Sequence, residues 1–590
     1  MPVSLHSAAV LIDALRGDDL MLRKNAIVQM STICEGIGPD RTREELMPFL
    51  EEMVEDEVDG SEVLEALAEE LGRGIPYVGG VEFAHHLLPC LELLSITDEA
   101  AVRDKAVESL KKVVNEMSYE DATAHFWALI QRLAGREWFT SRIAACDLLP
   151  HCVEKLPIDR QAELMSRYVE LCEDSVAMVR RSALRALKDL IAVVQPNNIE
   201  LLLSLFKSCM EGTDLISLRT LAVENSIALG EKCTPQQFHD SVMPVVRSCQ
   251  QDFSWRVRFT FADNMHTLVG MAEDPDRGEL VRMYQEFLGD AEADVRSAAA
   301  RRLPAVAKAI PDKEWFMTTI KETLDTLVQD SAEHVRVSFA AVLLSLAPLM
   351  GQQTTVNEVL PVVLQLMRDE KAEVKLALVG TLSELSTVMG IEMLKQSLIP
   401  QIGELIEDKQ WRIREAVLQN GPVLARHLGE ASFTDDVCPL MLKLCMDTVS
   451  DVRLAAAQCL RQLTNILGEP WMEVNVVNHV QEMATNESSY LIRIAALNCI
   501  LELHDVISEN TVVKCFIPLI VNLAKDPVPN VRFNANSVAL TLSKKLTESC
   551  VQQHLRPVFV ELTQDPDVDV KYYAVEALHP GTGVLAPAVV

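Results

Sequence analysis

The sequence predicts an all-α protein, a superhelical α-solenoid of about fifteen tandem two-helix repeats. Three observations predict this fold. A basic residue recurs every 38 to 40 residues along most of the 590-residue chain. The residues around it keep a helical apolar spacing, and an aspartate usually stands six positions before it. A fixed period of this length is typical of stacked helical arrays, in which each unit packs on its neighbours.

The recurring basic residue sets the register of the repeats. It occurs at Arg103, Arg142, Arg180, Arg219, Arg258, Arg296, Arg336, Lys375, Arg414, Arg453, Arg493, Arg532 and Lys571. Arg23 stands 80 residues before Arg103, which leaves room for a degenerate second repeat near Val63 that has no arginine. We therefore expect one continuous solenoid over residues 1–578. We expect the tail that follows it, residues 579–590, to be disordered.

One repeat illustrates the predicted unit. Residues 279–288 read as a first helix, 289–293 as a turn, and Val295 as the start of a second helix. Asp294 is expected to cap that helix, as are the residues at the same position in three later repeats, Asp451, Asn530 and Asp569. The second helix carries an apolar stripe of helical period, namely Val295, Ala298, Ala299, Leu303 and Val306.

The recurring aspartates predict a ladder of ion pairs between repeats. They lie six residues before the basic residue, at Asp174, Asp252, Asp290, Asp330, Asp369, Asp408, Asp447, Asp526 and Asp565. The turn places each aspartate near the first turn of a helix, where an anion is favoured. Because a guanidinium group donates in a fixed fork, stacked repeats can join these residues in Asp–Arg hydrogen bonds. We interpret the ladder as structural, since acids spread along an array do not converge on one site.

Composition narrows the classes of partner. The formal net charge is −32, which argues against nucleic acid and against anionic membrane surfaces. The fourteen cysteines lie mostly in apolar helical patterns and include no Cys-x-x-Cys pair, as expected of reduced thiols. The N-terminus lacks the basic region of a secretory signal. We expect a cytoplasmic protein, with the nucleus left open as a second compartment.

No motif predicts catalysis, a cofactor or a metal site. Phosphate-binding loops, His-Glu-x-x-His and Gly-x-Ser-x-Gly are missing from the sequence. His85, His86 and Cys90 come closest to a metal cluster, but adjacent histidines point in different directions on a helix. The uncharged window 337–357 approaches the length of a membrane span, yet it contains Pro348 and Gly351, and we interpret it as a buried helix followed by a loop. The chain is not expected to be an enzyme.

Aromatic residues occur where polar turns are expected. Trp138 with Phe139, Trp255, Trp411 and Tyr490 all stand a few residues before the recurring basic position. Two interpretations stay open. Each aromatic ring packs on the turn of the next repeat, or the row forms a partner surface, since Trp, Met and Arg are enriched in interface hot spots.

Several long phrases resemble the scaffold (A) subunits of type 2A protein phosphatases, a family of fifteen-unit HEAT-repeat proteins. The phrases are VRDKAVESL at 102–110, WFTSR at 138–142, SWRVR at 254–258, DPVPNVRFN at 526–534 and TQDPDVDVKY at 563–572. The resemblance implies a non-enzymatic, horseshoe-shaped scaffold within a heterotrimer. It implies that the phosphatase catalytic subunit binds turns within about 395–578, and that a variable regulatory (B-type) subunit binds turns within about 45–310.

The same resemblance assigns candidate binding residues. The residues implied to bind the catalytic subunit, which we call the C-terminal turn surface, are Trp411, Arg412, Arg453, Tyr490, Val528 and Phe533. The residues implied to bind regulatory subunits, which we call the N-terminal turn surface, are Asp98, Glu99, Trp138, Phe139, Met178, Arg180 and Trp255. The alternative function is that of an importin-β-like transport receptor, which is also an acidic HEAT-repeat array.

Overall fold

The computed structural model describes residues 5–55, 60–153, 155–210, 216–386 and 388–578. These residues form helices and turns, and none of them is assigned to a β-strand. The all-α repeat fold is confirmed. The chain divides into two compact units, Met1–Met283 and Tyr284–Val590. The tail that we expect to be disordered, 579–590, lies outside the described residues.

Each repeat in the first unit consists of a first helix, a turn and a second helix. The main parts of the first helices are Leu5–Arg16, Met47–Glu55, Leu88–Leu94, Trp127–Gly135, Ile158–Cys172, Ile199–Met210 and Met243–Gln250. The second helices are Leu20–Val28 with Met30–Ile37, Ser61–Leu71, Ala100–Glu116, Phe139–Val153, Ala177–Val193, Ile216–Gly230 and Trp255–Met271. Successive second helices pack on one another and on the first helix of their own repeat.

The second unit repeats this arrangement. After Asp276–Leu288, the first helices are Lys313–Val328, Leu360–Leu366, Ile391–Ser397 with Ile399–Ile406, Cys438–Leu444, Val477–Ala484, Ile517–Leu523 and Arg556–Leu562. The second helices are Ala293–Ala309, Glu333–Leu343, Ala372–Val379 with Ser383–Ser386, Trp411–Asp436, Ser450–Leu467, Tyr490–Leu503, Pro529–Ser543 and Val568–Leu578. The core lies between the two helix layers, and the predicted stripe from Val295 to Val306 is fully buried.

Many first helices open with a short, wider π-helical turn. It occurs at Thr42–Leu46, Ala122–Phe126, Phe238–Val242, Thr355–Val359, Val512–Phe516 and Val551–Leu555. Gly351 and Gly429 mark the change from a second helix to the next repeat, with φ of 77° and 74°. An L residue with a side chain rarely adopts this backbone conformation, so glycine permits the reversal there.

One stretch of the described residues, Glu333–Leu366, passes a length and composition test for a membrane span. In its most apolar window 44% of the residues are buried in the protein. Its backbone leaves helical dihedrals at Gly351, and residues such as Phe339, Leu343 and Leu346 are fully buried in the repeat core. The structure contains the buried helix that we predict. In place of the expected loop, the backbone breaks at a single glycine and helical segments continue on both sides of it.

The predicted ladder is present in both units. In each rung a basic residue of one repeat pairs with the aspartate of the next repeat. The rungs are Arg142–Asp174 and Arg219–Asp252 in the first unit, and Arg296–Asp330, Arg336–Asp369, Lys375–Asp408, Arg414–Asp447, Arg493–Asp526 and Arg532–Asp565 in the second. The side chains in these rungs are 16% exposed or less.

Asp330 and Asp369 together show the three kinds of hydrogen bond that ladder aspartates accept. Nε and Nη2 of Arg336 donate to the Asp369 carboxylate at 2.7 and 3.1 Å. The backbone N–H of Lys371 donates to the same carboxylate at 2.8 Å. Nη1 of Arg336 donates to the backbone carbonyl of Asp330, in its own turn, at 2.6 Å. One residue pair therefore fixes both a turn and the contact between two repeats.

The expected capping by Asp294 is wrong. The second helix begins at Ala293, so Asp294 lies inside its first turn. Asp451, Asn530 and Asp569 likewise lie inside their helices. The ladder aspartate orders the turn instead, since Asp290 accepts from the backbone N–H of Glu292 at 2.8 Å.

At Asn486 the ladder has an amide in place of the carboxylate. This residue holds the aspartate position but lies seven residues before Arg493, and its backbone carbonyl still accepts from Arg493 Nη1 at 2.8 Å. Its amide oxygen accepts from the N–H groups of Ser488 and Ser489. Arg453 of the preceding repeat donates to the carbonyls of its own turn, Asp447 and Thr448. Among the described residues, no ion pair joins Arg453 to the turn of Asn486.

Removing one ladder carboxylate should destabilise the second unit far more than removing a surface carboxylate. We expect Asp369→Asn to lower the free energy of unfolding by about 3 kcal/mol, because the partly buried Arg336 loses its counter-charge. Urea unfolding followed by circular dichroism measures this change. Glu561→Gln is the matched control, since Glu561 and Lys525 form an exposed pair, and we expect it to cost about 1 kcal/mol or less. Equal losses in the two variants would contradict the ladder's structural role.

The ladder should also make stability depend on acid pH. Burial pushes the pKa of Asp369 upward, but hydrogen bonds from Arg336 and the Lys371 amide, with the nearby positive charges, outweigh it and lower the pKa below 3.8. The hydrogen bond from Arg532 is the main cause of the lowered pKa of Asp565. A lowered native pKa gives stability that is fully present above the unfolded-state pKa and is lost as pH falls through the native value.

We therefore expect the difference in unfolding free energy between the wild type and Asp369→Asn to be constant at neutral pH and to shrink below about pH 4. Urea unfolding at a series of pH values from 7 to 3 measures the difference. A difference that stays constant down to pH 3, or that shrinks on raising the pH above 7, would show that the carboxylate charge is not the source of this stability.

Candidate partner-binding turns

The start of each second helix is the common location of the predicted binding residues. Ladder pairs such as Arg142–Asp174 in the first unit and Arg414–Asp447 in the second hold the turns of adjacent repeats side by side. The residues of the N-terminal turn surface all belong to the first unit, and those of the C-terminal turn surface all belong to the second. Within each unit, the ladder provides a regular base from which these side chains project.

Trp138 and Met178 are the most exposed members of the N-terminal turn surface. Trp138 precedes the helix Phe139–Val153 and is 57% exposed, and its ring centroid lies 5.4 Å from that of Phe139. Met178 is the second residue of its helix and is 58% exposed. Asp98 and Glu99 are also exposed. Both side chains leave apolar surface open to solvent at the start of a second helix.

Trp255 and Trp411 share one local arrangement in different units. Each is the first residue of its second helix rather than a turn residue, as is Tyr490. The guanidinium of the next residue lies over each indole ring, at 4.9 Å for Arg256 and 4.8 Å for Arg412. Each Trp–Arg pair combines an aromatic face and a positive charge at the repeat surface, which is the composition of interface hot spots.

Arg180 and Arg453 are placed differently from the other predicted residues. Both are half-buried, and Nη1 of each donates to two backbone carbonyls of its own turn. Their positive charge is therefore used to order the turn, while neighbouring side chains such as Met178 and Leu454 are exposed. Replacing either arginine would disturb the turn as well as any contact with a partner.

The remaining members of the C-terminal turn surface differ in exposure. Tyr490 is 42% exposed, whereas Val528 and Phe533 are half-buried. The ring of Phe533 packs edge-to-face against Tyr573 of the next repeat at 5.1 Å. Phe533, which is not one of the aromatic row, thus packs on the next repeat, whereas Trp138 and Tyr490 of that row are exposed to solvent.

Sequence reasoning missed the most exposed aromatic residue near these turns, Phe253. Its side chain is 79% exposed, directly after the ladder residue Asp252, and the Arg219 guanidinium lies 4.5 Å from its ring centroid. The sequence did contain a signal for Phe253, because an apolar residue stands immediately after a ladder aspartate there. Phe253 and Trp255 together give this repeat two aromatic rings on either side of the buried Ser254.

The histidines that resemble a metal cluster in sequence do not group with Cys90. Cys90 is fully buried, and burial raises the pKa of its thiol well above the ordinary value. His85 lies instead beside His125, with the rings stacked at 4.4 Å, and beside Asp121. Within the described part of the chain, this is the one group of three potential metal ligands.

Solved structures with the same architecture are helical-repeat proteins. The structure of Kap95p with RanGDP covers 97% of this chain and 76% of that chain, with a TM-score of 0.59 and 12% identity. The Kap95–Nup1 complex gives the same coverage with a TM-score of 0.56. Identity this low shows the fold alone. The fold, ladder and turns define the class of this protein as a HEAT-type α-solenoid.

Sequence relatives narrow the class. The human beta isoform of the 65 kDa regulatory A subunit of serine/threonine-protein phosphatase 2A is 37% identical over 365 residues, 61% of this chain and 60% of that protein. The PP2A regulatory A subunit of fission yeast is 41% identical over 44% of each chain, and the Arabidopsis alpha isoform is 48% identical over 30%. The matched parts thus span 60% or less of these relatives. The family described as PIK3R4-like, middle domain, matches residues 202–469.

Over the parts that match, the chain is therefore similar to the 65 kDa regulatory A subunits of protein phosphatase 2A, which its repeated phrases also resemble. These relatives are named as regulatory subunits, in agreement with our expectation that the chain is not an enzyme.

Trp138 should be dispensable for folding if its exposure serves a partner. We expect Trp138→Ser to change the free energy of unfolding by less than about 1 kcal/mol, because the substitution removes mainly the ring pair with Phe139. The fully buried Phe126 of the same repeat is the contrast, since Phe126→Ala should cost about 3–5 kcal/mol. Urea unfolding measures both. A loss at Trp138 as large as that at Phe126 would assign this ring to the core.

Proposed function

We propose that this chain is the non-catalytic scaffold of a protein phosphatase 2A holoenzyme. In this proposal the C-terminal turn surface holds the phosphatase catalytic subunit, and the N-terminal turn surface holds a variable regulatory subunit of the B type. The resulting heterotrimer directs the dephosphorylation of serine and threonine residues. The observation that carries the proposal is the recurrence of Trp, Tyr, Met and Arg side chains near the start of second helices in both units, among them the exposed Trp138, Met178 and Tyr490.

The sequence relatives support the phosphatase over the transport-receptor alternative. Relatives at 34–48% identity are named as A subunits of phosphatase 2A. The likeness to karyopherins rests on a fold shared at 12% identity. A shared solenoid does not carry a shared partner, because function depends on the surface residues of the site.

Co-localisation is the mechanism that this arrangement serves. Two subunits bound to one body meet at an effective concentration set by the scaffold rather than by their bulk concentrations. The regulatory subunit then presents its surfaces near the phosphatase, which selects substrates without any new chemistry in the scaffold. The net charge of −32 also favours encounter with basic patches on partner proteins.

A cytoplasmic location, with the nucleus as a second compartment, is part of the proposal. All fourteen cysteines carry free thiols, and all but Cys209 and Cys233 are buried. Burial raises the pKa of most of these thiols, as for Cys146 and Cys459, which keeps them protonated and unreactive. Such a set of thiols suits a reducing compartment.

The two turn surfaces should bind different subunits. We expect Trp411→Ala combined with Arg412→Ala to weaken binding of the phosphatase 2A catalytic subunit by tenfold or more, because the cation–π pair at the start of this helix is removed. We expect Trp138→Ala combined with Met178→Ala to weaken regulatory-subunit binding by a similar factor. Surface plasmon resonance with the purified subunits measures both effects.

Exposed apolar residues away from the turns provide matched controls. Val474 is 72% exposed on a first helix of the second unit, and Leu201 is 43% exposed on a first helix of the first unit. Val474→Ser and Leu201→Ser should leave both affinities unchanged. Unchanged catalytic-subunit binding by the Trp411 and Arg412 double variant, or equal loss of both subunits in either double variant, would overturn the division into two surfaces.

A further inference from the structure

His85, Asp121 and His125 come together at the first-helix ends of two adjacent repeats. His85 lies on the 3₁₀-helical segment Val81–Leu87, and Asp121 and His125 lie where the next repeat's first helix opens. Asp121 and His125 are four residues apart, so they share one side of this helical segment. The cluster includes no ladder residue and belongs to neither turn surface.

The three side chains present a donor set that transition metals favour. One ligand atom from each lies within 4.8 Å of the others. Two imidazole nitrogens and one carboxylate oxygen are a common protein set for zinc, with a water completing four-fold coordination. In such a site bonds of about 2.0–2.1 Å place ligand atoms about 3.4 Å apart, so the three groups need to close by little more than about 1 Å.

The surroundings allow this closure. The rings of His85 and His125 are stacked with an interplanar angle of 12°, so one ring must turn for both nitrogens to face one ion. His125 is exposed to solvent, so its ring is the one that can turn, whereas His85 is half-buried. The Ser118 hydroxyl donates to Oδ2 of Asp121 at 2.6 Å, which orients the carboxylate and leaves Oδ1 for a metal.

His85 itself is poorly satisfied by the protein. Its Nδ1 atom is buried without a well-formed hydrogen bond, although the Glu82 backbone acts to raise the pKa of the ring. Burial lowers that pKa, with a smaller contribution from His125, and the net direction is down.

We propose that His85, Asp121 and His125 bind one divalent transition-metal ion of the zinc class and thereby clamp two adjacent repeats together. The ion joins a side chain of one repeat to two side chains of the next, as a ladder rung does at the turns. It neutralises the Asp121 carboxylate and brings the two imidazoles to a common partner. The site thus gives this repeat pair a metal-dependent stability that its neighbours lack.

A second His–Asp pair in the same unit provides a matched comparison. His239 lies in the corresponding π-helical turn of a later repeat, and its Nδ1 is 2.8 Å from Oδ1 of Asp276. The hydrogen bond to Asp276 raises the pKa of His239, which favours the imidazolium form. With one histidine and a raised pKa, this pair should not compete for zinc.

Isothermal titration of the full chain with Zn²⁺, in protein prepared without a histidine tag, tests the proposal. We expect one site per chain, with the dissociation constant rising at least about tenfold in His125→Gln and in Asp121→Asn, and unchanged in His239→Gln. Zn²⁺ should also raise the unfolding temperature of the wild type and of His239→Gln, because the ion binds the folded state. That rise should be absent in His125→Gln.

Because His125 is exposed, we expect His125→Gln to fold as the wild type does. Circular dichroism without metal verifies the fold of each variant. Zinc binding that is equally tight in His125→Gln and in the wild type would overturn the proposal. A chain that binds no Zn²⁺ at micromolar concentration, or one that loses binding in His239→Gln to the same extent, would overturn it as well.

Discussion

The paired aspartate and arginine of each turn is the interaction on which the rest of the structure depends. The carboxylate of Asp369 accepts from Arg336 of the preceding repeat and from the backbone of its own turn. Arg336 in turn donates to the backbone carbonyl of Asp330. A turn without these bonds would leave polar backbone groups next to an apolar core, which is costly. Repetition of one residue pair therefore fixes both the geometry of each turn and the spacing between repeats.

This arrangement separates the residues that build the turns from those that face solvent. The ladder side chains are largely covered, and so are Arg180 and Arg453, which order their own turns. Side chains at or just before the first positions of the second helices, such as Met178 and Trp138, are left exposed to solvent. A solenoid built in this way can change its outer residues while keeping its ladder.

The sequence predicts the periodic features well, because period and stripe are local properties of the chain. The ladder pairs and the buried residues from Val295 to Val306 follow from spacing alone. Capping at Asp294 is wrong because the aspartate at Asp290 already orders the turn and the helix starts earlier. The grouping of His85 with His125 could not be predicted, since it depends on how the first helices of adjacent repeats pack. The exposure of Phe253 depends on the same three-dimensional packing.

The turn at Asn486 has a consequence for how the second unit responds to force. An amide holds the turn together as well as a carboxylate does, but it offers no negative charge to Arg453 across the repeat boundary. The boundary is held by packing between the helices Ser450–Leu467 and Tyr490–Leu503 and by ion pairs of Arg461 with Glu502 and Asp505. In a solenoid the weakest interface between neighbours opens first. We therefore expect this boundary, which lacks a charged rung, to yield under tension before the other boundaries of the second unit.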